Sequence, residues 1–135
     1  MPLILVRHAS AGDRAAWAGD DVERPLDERG RRHALELVSR LDSFPIHAIY
    51  SSPATRCLQT VEPFASARGV QVVARDELSE ERQWDDGRSL LHELAGDNAV
   101  VCGHGGLEQS LPKPRKWRKG SAFVLDAQLR IVEEI

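Results

Sequence analysis

The chain has 135 residues, 41% hydrophobic and 29% charged, with a formal net charge of -3. That length allows one domain, residues 1–135, with a true core, and the charge argues against general binding to nucleic acid or an anionic membrane. No stretch is long enough to span a bilayer, no basic region followed by an apolar run marks a secretion signal, and Cys57 and Cys102 lack metal-ligand spacing, so a cytoplasmic protein with two buried free thiols is expected.

Leu3 to Val6 is continuous, branched and too short for a helix, and reads as a buried strand. It ends on Arg7 and His8. In an open α/β sheet, ligands bind at the carboxyl ends of the strands. There Arg supplies a fixed fork of donors for a phosphate, and His a nitrogen that is neutral and nucleophilic near pH 7. Alone, such a pair is commonly no more than a strand leaving the core. Ala11 to Pro25 mixes Gly, Asp and Pro and reads as a loop. Trp17 within it either closes over a site or, the preferred reading, anchors the loop to the core.

A helix follows, capped by Asp27, with Ala34, Leu35, Val38 and Leu41 at helical spacing. Gly30 inside it suggests close backbone packing, and His33 reads as solvated. Ile46 to Tyr50 is the second strand. Ser52 is a natural N-cap and Pro53 a natural first residue of the next helix. That places Arg56 in a first turn, where free N–H groups already favour anions. Pro63 is expected to kink or split this helix.

Val70 to Ala74 is the third strand. The polar run from Arg75 to Arg88 has no clear period and contains Glu80. Ser89 to Leu94 is a short helix with His92 on its outer face. Asn98 to Cys102 is a fourth buried strand, ending in Gly103-His104-Gly105-Gly106, where glycines let the backbone turn and approach a ligand. Leu107 to Leu111 allows only a short helical segment. Lys113 to Lys119 is strongly basic around Trp117; a solvated linker is preferred to a nucleic-acid contact. Ala122 to Leu125 and Leu129 to Glu133 form a closing antiparallel hairpin.

The order β-α-β-α-β-α-β plus a hairpin predicts an α/β fold: a mostly parallel sheet with helices on both faces, a three-layer α/β/α sandwich. Arg7, His8, Arg56 and His104 then converge at one edge of the sheet. Such a cationic pocket without a metal-type cluster suits phosphoryl transfer by electrostatic clamping and a His nucleophile.

The segments VRHAS, SSPATRCLQT and VVCGHGG resemble, in order and spacing, the three motifs of the histidine phosphatase superfamily, which includes phosphoglycerate mutases. RPLDERGRRHA and WRKGSAFVLD resemble flanking elements of its small bacterial members. The likeness covers essentially the whole chain and is nearest the short SixA-type phosphohistidine phosphatases. Related domains occur fused to nucleotide hydrolases in actinobacteria. The resemblance implies a six-stranded sheet with strands one and four adjacent. It implies His8 as the nucleophile and Arg7, Arg56 and His104 as holders of the phosphoryl oxygens. Glu80 would match the acid that follows a Leu-x-Glu pattern in many members.

Ala9 stands where the usual Gly would be, as in the SixA branch. The segment after His104 is short, and no large insertion is available to cap the site. The expected activity is that of a metal-independent phosphatase without a cofactor, acting on phosphohistidine of a protein partner. Nucleotides or small phosphate esters are the alternative substrates, and a non-catalytic phosphate-binding module the alternative class. No nucleic-acid or membrane partner is expected.

Overall fold

The computed structural model describes residues 2–135. Its strands are β1 (Leu3–Arg7), β2 (Ala48–Ser51), β3 (Val72–Ala74), β4 (Ala99–Gly103), β5 (Ala122–Leu125) and β6 (Ile131–Glu134). The helices are α1 (Glu28–Arg40), α2 (Thr55–Arg68) and α3 (Arg88–Leu94). One six-stranded sheet has the order β3-β2-β4-β1-β5-β6. The pairs β1–β4, β4–β2 and β2–β3 are parallel, whereas β5 runs antiparallel to β1 and β6 antiparallel to β5. The expected sheet and hairpin are present, with strands one and four side by side.

The period of two along β1 sorts its side chains into two cores. Ile4 and Val6 join Leu37, Leu41, Val61 and Phe64 of α1, its C-terminal cap and α2. Leu3 and Leu5 join Leu90, Leu91 and Leu94 of α3 on the opposite face. The sheet is therefore the middle of three layers. No helix among the described residues is long and apolar enough to cross a membrane.

Asp27 caps α1 as expected, accepting from the Gly30 N–H at 2.7 Å. Gly30 is indeed a close approach: a Cβ there would lie 2.0 Å from the Ser10 carbonyl oxygen. The loop after β1 is thereby pressed onto α1, and Ala9, Ala11, Leu26 and Ala34 form a small core between them.

Other details depart from the sequence reading. The residue capping α2 is Ala54, with no side-chain bond, and α2 runs through Pro63 without a break. Trp17 does not reach the core; it is 38% exposed and its indole N–H donates to the Asp20 carbonyl at 2.9 Å. The basic run is no free linker, because Trp117 within it is 2% exposed and stacks on Phe123. His33 is half-buried rather than fully solvated. The polar run before α3 folds into a 3-10 turn at Asp76–Leu78 and a π-helical turn at Gln83–Gly87.

Candidate active site

Parallel pairing sets Arg7 beside Gly103, so the chain leaves β1 and β4 at the same level. The His8 N–H donates to the Gly103 carbonyl at 3.1 Å. The His8 and His104 rings stand edge to face, with centroids 5.5 Å apart.

His8 is 7% exposed, and its Nδ1 lies 2.8 Å from the Ala9 carbonyl oxygen. A carbonyl only accepts, so Nδ1 carries the proton and Nε2 keeps its lone pair. Burial lowers the His8 pKa to about 3 against the pull of the Ala9 carbonyl, with His104, Arg56 and Arg7 adding to the effect. The ring is neutral at pH 7.

Arg7 donates through one terminal nitrogen to the Trp117 carbonyl at 2.6 Å. Gly105 makes room for it: a Cβ there would lie 2.8 Å from the guanidinium. The backbone is fastened from the same side. The Arg7 N–H donates to Ser121 at 3.1 Å, and the Gly120 N–H reaches the carbonyls of Arg7 and His8 at 3.1 and 3.2 Å.

Arg56, 1% exposed, donates to the Asp21 carbonyl at 2.8 Å, to Asp21 Oδ2 at 3.2 Å and to Glu80 Oε1 at 3.3 Å. It also lies 3.4 Å from His104 Nδ1. Arginine only donates, so this Nδ1 accepts and His104 Nε2 carries the hydrogen toward Ser52 Oγ, 2.8 Å away. Ser52, read from the sequence as a helix cap, accepts from the Ala54 N–H at 3.2 Å just before the helix and also holds His104. The Arg7 and Arg56 Nε atoms are buried without a partner among the described residues. Cys57 and Cys102 are buried free thiols, and the Cys57 sulfur lies 3.7 Å from His104 Nε2.

Two residues here were not singled out in the sequence. Thr60 donates to the Arg56 carbonyl at 2.7 Å and accepts from the Ala9 N–H at 3.0 Å, tying α2 to the His8 loop. Asp21 joins three arginines: Arg24 at 2.9 Å, Arg56 at 3.2 Å and Arg14 at 3.3 Å. Burial opposes its ionisation, but the Arg24 hydrogen bond and the nearby Arg56 and Arg14 charges leave its pKa below the usual value. No local spacing signals Asp21, because Arg56 is distant in sequence.

Glu80 accepts from both Arg14 and Arg56. Two adjoining clefts share it with His104. One, of about 560 Å³, is lined by Arg7, His8, Arg14 and Lys119; the other, of about 580 Å³, by Asp21, Ser52 and Arg56. All five sequence-derived site residues thus come together. No group of three His, Cys, Asp or Glu placed to hold a metal occurs among the described residues.

The chain is similar to known proteins in sequence and in fold. The model of the histidine phosphatase superfamily (branch 1) matches residues 3–88. An 8-oxo-(d)GTP phosphatase of Mycolicibacterium smegmatis is 36% identical over 139 aligned residues, 91% of this chain and 43% of that protein. Phosphoserine phosphatase 1 of Hydrogenobacter thermophilus is 34% identical over 79 residues, 58% of this chain and 37% of that protein. The chain spans less than half the length of either curated relative. The structure of the protein histidine phosphatase SixA complexed with tungstate shares the fold, with a TM-score of 0.83 at 19% identity over 100% of this chain and 96% of that one.

Proposed function

The chain belongs to the histidine phosphatase superfamily, and from that premise we propose that it is a phosphatase working through a phosphorylated His8. The observation that carries this reading is the state of the His8 ring. Its Nδ1 proton is committed to the Ala9 carbonyl, its Nε2 lone pair is free, and burial keeps it uncharged between two arginines and a second histidine.

His8 Nε2 attacks phosphorus, and the bond from phosphorus to the leaving oxygen or nitrogen breaks with its electron pair on the leaving atom. Arg7 and Arg56 hold the phosphoryl oxygens, using donor capacity that includes their unpartnered Nε groups. His104 joins the clamp by taking up a proton from solvent on Nδ1 as Arg56 turns to the phosphate, while its Nε2 hydrogen stays with Ser52. An arriving phosphoryl group takes over Arg56 donors now given to Asp21 and Glu80, and Glu80, taking up a proton from solvent water at the freed oxygen, passes it to the leaving atom. Water then attacks the phosphorus of phospho-His8 and gives up a proton to the Glu80 carboxylate. The N–P bond breaks, Nε2 regains its lone pair, and inorganic phosphate leaves. No metal enters these steps.

For the substrate, the leading reading is phosphohistidine on a protein partner in the cytoplasm, supported by the two open clefts that meet at His104. A nucleotide phosphate is the second reading, favoured by the likeness to the M. smegmatis enzyme. Rapid quenching with labelled substrate is expected to trap an acid-labile phosphoenzyme. His8→Ala is expected to lose it, with turnover falling on the order of 10³-fold or more. Near-normal turnover by His8→Ala would overturn the mechanism. A screen of a phosphohistidine protein against nucleotides and sugar phosphates separates the substrate readings.

A further inference from the structure

The run from Lys113 to Lys119 places five basic residues within seven positions of a chain whose net charge is -3. Its single aromatic, Trp117, is buried against Phe123, whereas Lys113, Arg115, Lys116, Arg118 and Lys119 are all exposed. The buried Trp117 fixes the run in place, and the Trp117 carbonyl holds Arg7 at 2.6 Å.

These charges are largely unspent. Of the five, only Arg115 makes an ion pair among the described residues, with Glu134 at 3.7 Å. They also line a series of hollows in sequence order. Lys119 lines the cleft of Arg7 and His8. Arg118, Lys116 and Arg115 line a cavity of about 440 Å³ that also holds Glu134. Arg115 and Lys113 continue into a further one of about 510 Å³, where Asp126 is already paired with Arg130.

Resting on the phosphatase reading above, we propose that residues 113–119 form a docking strip for an acidic peptide segment flanking the phosphorylated residue of a protein substrate. The succession of cavities fits an extended polyanion rather than a compact one. A nucleic-acid strand is the poorer occupant. Base stacking needs an exposed aromatic, and the one aromatic of the strip is turned into the core. The strip selects partners and speeds encounter by complementary charge, while the clefts at His8 perform the chemistry.

The test uses two phosphohistidine peptides of equal length, one flanked by Asp and Glu, the other by Ser and Gly, with an aryl phosphate as reference. The wild-type chain is expected to show a higher kcat/KM for the acidic peptide, an advantage that shrinks as salt is added. In Lys116→Ser/Arg118→Ser that advantage falls about fivefold, as for the loss of two exposed charge contacts, while aryl phosphate turnover is unchanged. Equal kcat/KM for the two peptides in the wild type overturns the proposal. A second measurement is independent of turnover: anisotropy of a labelled, unphosphorylated acidic peptide with His8→Ala protein. Binding that weakens in the double variant supports the strip even if no phosphatase activity is found. Tighter binding of a single-stranded oligonucleotide of equal charge overturns it in favour of a nucleic-acid partner.

Discussion

At the ends of β1 and β4 the backbone holds the charged side chains, whereas across the cleft, from Gly12 to Arg24, charged side chains hold the backbone. On the first side Arg7 and His8 are fastened by main-chain bonds to Gly103, Gly120 and Ser121. On the second, every residue from Gly12 to Asp20 is exposed, and the 3-10 turns at Arg14–Ala16 and Asp21–Glu23 bury no residue. That segment rests on capping bonds from Asp13 and Asp20, on Arg24 bonded to the Ala11 and Gly12 carbonyls, and on the contacts of Asp21. The Arg14–Asp21 pair is exposed and worth about 0.2–1 kcal/mol, so Arg14 can exchange partners, whereas Arg24 and Arg56 are buried. A backbone-held His8 therefore faces a charged wall whose outer contacts can rearrange.

The largest effect is expected on the firm side. Arg7→Lys keeps the charge but loses the planar fork, and Arg56→Lys does the same within α2. Each is expected to cost about 2.7–4 kcal/mol of transition-state stabilisation, or about 10²–10³ in kcat. Steady-state kinetics checks this, and wild-type rates in either variant would sink the clamp. Glu80→Gln probes the exchangeable side. An alkoxide leaving group needs a proton, whereas imidazole or an acidic phenol needs far less help. The expected result is a loss of about 10² with alkyl phosphates and under about tenfold with phosphohistidine or activated aryl phosphates. Equal slowing of all three would make Glu80 a partner of Arg14 and Arg56 only. Gly30→Ala acts where the two sides join. Its Cβ meets the Ser10 carbonyl, and relieving that overlap is expected to cost about 1–3 kcal/mol of stability. Denaturant melts should show a lower midpoint with little change in kcat; an unshifted midpoint would mean that the loop yields freely.

The comparison also explains what could be read from the residues alone. Arg7, His8 and His104 follow buried apolar strands, and parallel pairing brings such ends together, so strand recognition is enough to assemble them. Arg56 was legible because a helix start is marked by local chemistry, though the cap itself was not. The Ser52 hydroxyl could serve the helix or a distant ring, and sequence spacing does not encode the His104 contact. Asp21 and Trp117 stayed hidden for a related reason. Asp21 gains its place in the site from Arg56, remote in sequence, and the burial of Trp117 is decided by Phe123 on β5, while its neighbours in sequence are polar. Trp17 shows the converse: an aromatic in a polar loop suggested an anchor, but its local bond to Asp20 leaves it exposed.

The placement of β5 against β1 has a consequence for synthesis. Leu3 pairs with Leu125, which is made long after it, and Arg7 waits for Trp117 and Ser121. At about 5–20 residues per second, roughly 6–24 s separate the making of His8 from that of Leu125. Throughout that interval the emerging polypeptide has His8 but not the strand and carbonyls that seat it. The His8 pocket is therefore completed only once β5 has been made, and products that end before β5 carry the first motif without the contacts that hold it.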